Sequence, residues 1–112
     1  MVLRVALIAL LLAASPTLAG NRSVNIAMAV ALLDVAEEHC GQSVNVDAEA
    51  RRLLMIDFHE YDIAGLASTI SRELNAFYED FFHEMKAGRS SFCARVPGYA
   101  AITGYGIIQA AD

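Results

Sequence analysis

The densest run of chemistry-bearing side chains in this 112-residue chain is Glu37-Glu38-His39-Cys40-Gly41: two carboxylates, an imidazole and a thiol in succession. Three chemistries use such a set: a metal centre, a reactive thiol, or one half of a structural disulfide. A redox dithiol sits as Cys-x-x-Cys, and a thiolate zinc site shows closely spaced pairs. The chain has two cysteines, Cys40 and Cys93, and their separation fits neither pattern. A small exported domain with an even cysteine count pairs them most simply as a disulfide. The Cys40–Cys93 bond would close a loop of roughly fifty residues, which the chain-entropy model values at ~4 kcal/mol. The expected role of Glu37-Glu38-His39-Cys40-Gly41 is therefore a helix end carrying half of that staple.

Two further clusters invite a metal or acid–base reading. Glu79 and His83 stand at i,i+4, and Asp80 and His83, like His59 and Asp62, stand at i,i+3. Such pairs on facing helices of a bundle hold a metal when they project into the core. On an ideal wheel with Ile63 at 0°, Glu79 falls at ~160° and His83 at ~200°, opposite the apolar stripe, with Arg72 at ~180° between them. His59 also lies off the stripe of its own segment. These groups are expected on a solvated face, and no metal ligand set is assigned. The carboxylates Glu79, Asp80 and Glu84 are read the same way, as solubilising charge rather than general acids or bases, which need a cleft and a shifted pKa. Gly104-Tyr105-Gly106 lacks the third glycine and the following unit of a dinucleotide-binding turn. No Gly-x-Ser-x-Gly elbow is present to support a Ser-His-Asp arrangement. The aromatics Phe77, Tyr78, Phe81 and Phe82 look like a ligand box. Three of them lie on the core stripe, and only Phe82, at ~100°, lies at its edge. No catalytic constellation and no cofactor site is expected.

The elements that position these residues follow from the pattern along the chain. Residues 1–19 have the order of a cleavable secretory signal. Arg4 gives a positive start, Val5 to Ala14 is an uncharged apolar run, and Ser15-Pro16 breaks it. Thr17-Leu18-Ala19 then offers small residues before Gly20. Pro16 interrupts the run well short of the roughly 20 apolar residues a membrane-spanning helix needs. Residues 20–112 then form a single domain of about 93 residues, destined for the periplasm or secretion. Eight Lys and Arg, less Arg4, leave seven against thirteen Asp and Glu, a formal charge of −6. Such an acidic domain has no electrostatic footprint for nucleic acid or anionic lipid. A hydrophobic content of 56% is too high for a disordered chain.

No Gly or Pro interrupts Ser23 to His39, and Gly41 is a stop signal, so the first helix is expected there. Ile26, Ala29, Val30, Leu33 and Cys40 fall on one side, and Met28, Leu32 and Val35 on an adjoining one. So broad an apolar surface belongs to a central or heavily covered helix. Gln42 to Val46 is a connection, and Asn45 or Asp47 can cap a second helix to about Phe58. Its stripe is Ala50, Leu53, Leu54, Phe58 and Tyr61, interrupted by Asp57. A third helix is expected from about Asp62, as its N-cap, to Ala87, with Gly88 closing it. A bend between Asp57 and Asp62 is required because the two stripes differ in phase by about 140°. Ser90 or Ser91 begins a short fourth segment with Phe92, Cys93 and Val96, which Pro97-Gly98 should end. The Gly-rich apolar tail from Gly98 onward fits a helix, a strand or coil.

The expected architecture is an all-α bundle of three main helices plus a short fourth segment, stapled by one disulfide. It resembles small exported helical proteins in general, and no motif assigns a family. The expected function is non-catalytic: an exported binding or interaction module of stress, chaperone-like or inhibitor type. A metal or cofactor carrier using His39, His59, His83 and nearby carboxylates is the alternative. The expected partner is a protein or a second copy of the chain, with no stable membrane insertion after signal cleavage. The expected interface is the Met28, Leu32 and Val35 side of the first helix with Phe82. The apolar tail is the competing cover for that side.

Overall fold

The computed structural model describes residues 22–63 and 67–111. The expected signal segment, its boundary at Gly20, and the side chains of Tyr61, Ile63, Leu66 and Ala67 lie outside what is described. The described residues form an all-α bundle of four helices with a small two-stranded ribbon.

Helix α1 spans Arg22–His39. Cys40 donates its backbone N–H to the Ala36 carbonyl (2.8 Å), and Gly41 follows at φ +54°, the left-handed position that ends a helix at low steric cost. Nine of its residues are buried, among them Ile26, Leu32 and Val35 at 0% exposure. The wet side is a narrow line through Asp34, Glu37 and Glu38. α1 is thus the central helix, as the breadth of its apolar surface requires. This places Met28, Leu32 and Val35 in the core instead of at an interface. α1 packs against all three other helices, so the surface expected to need a partner is covered within the chain.

After a single 3-10 turn at Gly41–Ser43, strand β1 (Val44–Val46) pairs antiparallel with β2 (Ile108–Ala110). Val44 stands opposite Ala110, and Val46 opposite Ile108. Flanking bonds extend the ladder: Asp47 N–H to the Ile107 carbonyl (2.8 Å) and Ala111 N–H to the Ser43 carbonyl (3.1 Å). The tail is therefore neither loose nor wholly helical. It turns at Thr103-Gly104, with Gly104 at φ +83°, and drives Ile107 and Ile108 into the core.

Asp47 is the cap of helix α2, Ala48–Ile63, its carboxylate accepting from Ala50 N–H at 2.8 Å. α2 continues through Asp57 and Asp62, so Asp62 does not cap the next helix and no break falls between them. The reason is local: the sequence has no Gly or Pro from Ala48 to Ala64. Leu54 is fully buried and Ala50 nearly so, but Leu53, expected on the core stripe, is 46% exposed. Helix α3 spans Ala67–Ala87, with Ile70, Phe81 and Met85 buried.

Gly88 links α3 directly to helix α4, Arg89–Ile102. The fourth element is a full helix, and Pro97-Gly98 lies inside it. Pro97 offers no N–H to the Cys93 carbonyl, a defect worth ~3 kcal/mol in an isolated helix. Here Val96 and Ala100, both at 0% exposure, anchor the turns on either side of it. Thr103 then closes α4, its hydroxyl donating to the Ala100 carbonyl at 2.6 Å.

Candidate functional site

The two cysteines meet where α1 ends and α4 begins. Cys40 and Cys93 form a disulfide with Cα atoms 5.6 Å apart, across a sequence separation of 53. Glu37-Glu38-His39-Cys40-Gly41 is accordingly a helix terminus with a staple. The two cysteines, with His39, Arg89 and Ser90, line a trough of about 590 Å³. His39 Nε2 is buried without a hydrogen-bond partner among the described residues, and Glu38 Oε2 stays 3.8 Å away. The His39 ring stands edge-on to Phe82, centroids 5.9 Å apart. Ser43 Oγ, on the same trough, is used in a bond to the Cys40 carbonyl at 2.6 Å. The hydroxyl of Ser43 is thus engaged by the backbone rather than by His39.

The other candidate residues separate. His59, His83, Glu79 and Asp80 are exposed, as the wheel places them. Among the described residues, no three His, Cys, Asp or Glu side chains gather as a metal would need. Phe82, assigned to an interface, is half-buried: it stacks on Tyr78 at 6.2 Å, and Lys86 Nζ lies 5.6 Å from its ring centroid. Phe81 is core, packed between Phe92 and Tyr99.

Glu84 departs from its expected solvated role. Its side chain is 16% exposed, pairs with Arg95, and accepts the Tyr99 hydroxyl at 2.8 and 2.9 Å. Burial first, then the bond to Glu84, raises the Tyr99 pKa. α4 covers this flank of α3 because only Gly88 separates the two helices. A second polar knot explains the Asp57 that interrupts the α2 stripe. Asp57 accepts the Tyr105 hydroxyl at 2.5 Å and pairs with Arg22 at 2.9 Å, joining α2, the tail and α1. Burial, reinforced by Asp57, pushes the Tyr105 pKa up to about 12. In the first knot Arg95 also donates to Ser91 Oγ at 3.1 Å, and neither Glu84 nor Asp57 lines the trough at the disulfide or the one between α1, α2 and α3.

The surface that sequence reasoning missed is a second trough, about 370 Å³, between α1, α2 and α3. Its floor is apolar: Val30 and Leu33 from α1, Leu74 and Tyr78 from α3, with Met55 of α2 along one wall. The rim residues Asp34, Glu37, Arg51 and Asn75 are exposed, as is Met55, so this is an open groove, not a closed cavity. Met55 is 40% exposed, on the same helix as the exposed Leu53 and Ile56. Groove and staple are features of a disulfide-stapled all-α bundle. No protein-family model, no characterised protein and no solved structure matches this chain.

Proposed function

We propose that this chain is a small exported, non-catalytic helical protein that works by binding another polypeptide. The observation that carries the reading is the groove: an apolar floor spanning two helices, open to solvent and walled by the exposed Met55. Helical proteins receive helical or extended segments in such grooves, with affinity from apolar anchors and orientation from the rim. The Cys40–Cys93 disulfide supports an oxidising compartment, and the charge-then-apolar-then-small order of residues 1–19 supports export to the periplasm or beyond. The polar clusters support a non-catalytic role, since Glu84 and Asp57 are held by arginines and tyrosines outside both troughs. The binding site differs from the one expected on the first helix, whose Met28, Leu32 and Val35 are core.

The test is a photoreactive residue placed at Met55, with one at His83 as reference, in cells that export the protein. Polypeptide adducts at position 55 and their absence at position 83 are the expected result. Equal adducts at both, or none at either, would remove the groove as a binding surface. A thiol assay on unreduced exported protein checks the compartment, with no alkylatable cysteine expected.

A further inference from the structure

The disulfide joins two helix ends of opposite character. Cys40 follows the last residue of α1, the end where backbone carbonyls without intrahelical partners carry negative charge. Glu38 adds an exposed carboxylate on the trough, whereas Glu37 is held by Arg51 at 2.8 Å. Cys93 is the fifth residue of α4, beside the end where free N–H groups carry positive charge. That end has no acidic residue in its first turn, and Gly88 at the cap position gives no side-chain bond. Helical side chains lean toward the N-terminus, so Cys93 lies over the turn that begins with Arg89. Arg89 is exposed and lines the same trough as both cysteines. From α3, Phe82 meets the His39 ring and Lys86 lies over Phe82, while the ribbon contributes uncharged Ala110 to the trough. One contact works the other way: the His39 carbonyl lies 4.0 Å from Cys93 Sγ, as an acceptor for a thiol. It is a single long contact, set against a cation and a turn of N–H groups.

A thiolate is the attacking form in disulfide exchange, and cations and helix N-termini favour it. The two helix ends are also brought together by contacts other than the bond: α1 and α4 share a core in which Ala36, Phe92 and Val96 are at 0% exposure. The trough of about 590 Å³ leaves room beside the cysteines for a second pair of sulfurs. We infer that the bond is made on the packed helices by a disulfide-bearing oxidant entering this trough, with Cys93 the sulfur that meets the oxidant and Cys40 the one that closes the bond. The Cys93 thiolate attacks one oxidant sulfur and displaces the other as a thiolate, leaving a mixed disulfide. The Cys40 thiolate then attacks Cys93 Sγ and releases the second oxidant sulfur. The two cysteine protons pass through solvent to the released sulfurs, and two electrons have moved from the cysteines to the oxidant.

The test starts from the processed chain, reduced at neutral pH, with circular dichroism reading its helix content. Native helix content should be kept, and limiting iodoacetamide should alkylate Cys93 several-fold faster than Cys40. Cys40→Ser protein, which keeps Cys93, should take up glutathione from glutathione disulfide several-fold faster than Cys93→Ser protein. In denaturing urea the gap should shrink. Arg89→Gln, an exposed substitution, should slow Cys93 and leave Cys40 at its own rate. A protein disulfide oxidoreductase in place of glutathione disulfide should keep the same order, since this chain sets it. Equal rates in the folded protein, a faster Cys40, a gap unchanged by urea, or an order that switches with the oxidant would each overturn the inference. A reduced chain without native helix content would overturn it too, because the helix ends would not be in place when the bond forms.

Discussion

The disulfide end of the bundle and helix α2 are built to different standards. At the disulfide end, the α1 terminus is fixed by Gly41 in the left-handed region, by Cys40–Cys93, and by the ribbon of Val44–Val46 with Ile108–Ala110. Nearby, Phe92, Val96, Ala100 and Ile107 are all at 0% exposure. Helix α2 is held by a few devices: the Asp47 cap, Leu54, and the clasp of Asp57 with Arg22 and Tyr105. Leu53, Met55 and Ile56 remain 46%, 40% and 43% exposed. A small domain has a limited core, so covering one end thoroughly leaves less apolar contact for another element. Among the described residues, the closest helix packing is where α1, α3 and α4 meet, and the exposed large apolar side chains lie on α2. Binding surfaces are commonly drawn from such weakly committed elements.

The largest expected effect breaks the strong end. Cys93→Ser, or reduction of the bond, should lower stability by ~4 kcal/mol, since the staple closes a separation of 53 residues. Denaturant melts with and without reductant measure this. A change below ~1 kcal/mol would mean that the buried helices, and not the staple, fix this end.

Next comes the clasp between α3 and α4. Glu84→Gln removes the charge facing Arg95 and one acceptor of the Tyr99 hydroxyl, and should cost about 1–3 kcal/mol because the group is mostly covered. Glu79→Gln, one exposed turn away, should change the midpoint within about 0.5 kcal/mol. Equal effects at the two positions would mean that Glu84 behaves as a solvated carboxylate.

The clasp on α2 has a pH signature. Burial and Asp57 raise the Tyr105 pKa to about 12 in the folded chain, above the ordinary tyrosine value of 10.0. The protonated phenol is thus favoured by folding. Its contribution is fully present below pH 10.0 and is lost as pH rises toward about 12. Tyr105→Phe should cost ~1 kcal/mol at neutral pH and flatten this alkaline loss. Amide exchange should also rise in α2 more than in α1 if the clasp is what holds α2 to the tail. Uniform loosening of all helices would erase the proposed contrast.

Much of the fold was legible from local signals. The α1 limits, the Asp47 cap, the staple and the exposed side of α3 follow from breakers, capping residues, cysteine count and helical phase. What escaped depends on neighbours in space. Glu84 lies at ~300° on the same wheel that puts Glu79 at ~160°, on the flank of the stripe, but only α4 folding back makes that flank an interior. Pro97 reads as a terminator until Val96 and Ala100 are seen buried on both sides of it. The ribbon joins residues more than sixty apart through three-residue strands, too short for a pattern of alternation. The groove also escaped, because no single helix contains it: Val30, Met55 and Leu74 come from three elements. Met28, Leu32 and Val35 were correctly placed on a broad apolar surface. Phase alone does not say that three helices would suffice to cover it.

The smallest expected effect is the sharpest check on the contrast. Ile56 and Leu53 are large and apolar, yet nearly half exposed on α2. If α2 holds on through Leu54 and the clasp, then Ile56→Ser should move the unfolding free energy by only about 0.5 kcal/mol, as surface substitutions do. Leu54→Ala, two residues away in the same helix but at 0% exposure, should cost roughly 2–5 kcal/mol. The comparison is internal: helix, chain neighbourhood and apolar class are shared, and burial is the main difference. A loss of several kcal/mol at Ile56 would place that side chain against something in solution, a second copy of the chain or the segment between α2 and α3. It would also mean that α2 is not the weakly committed element. Sedimentation of the Ile56→Ser protein across dilution separates these outcomes, because only the second-copy case changes mass with concentration.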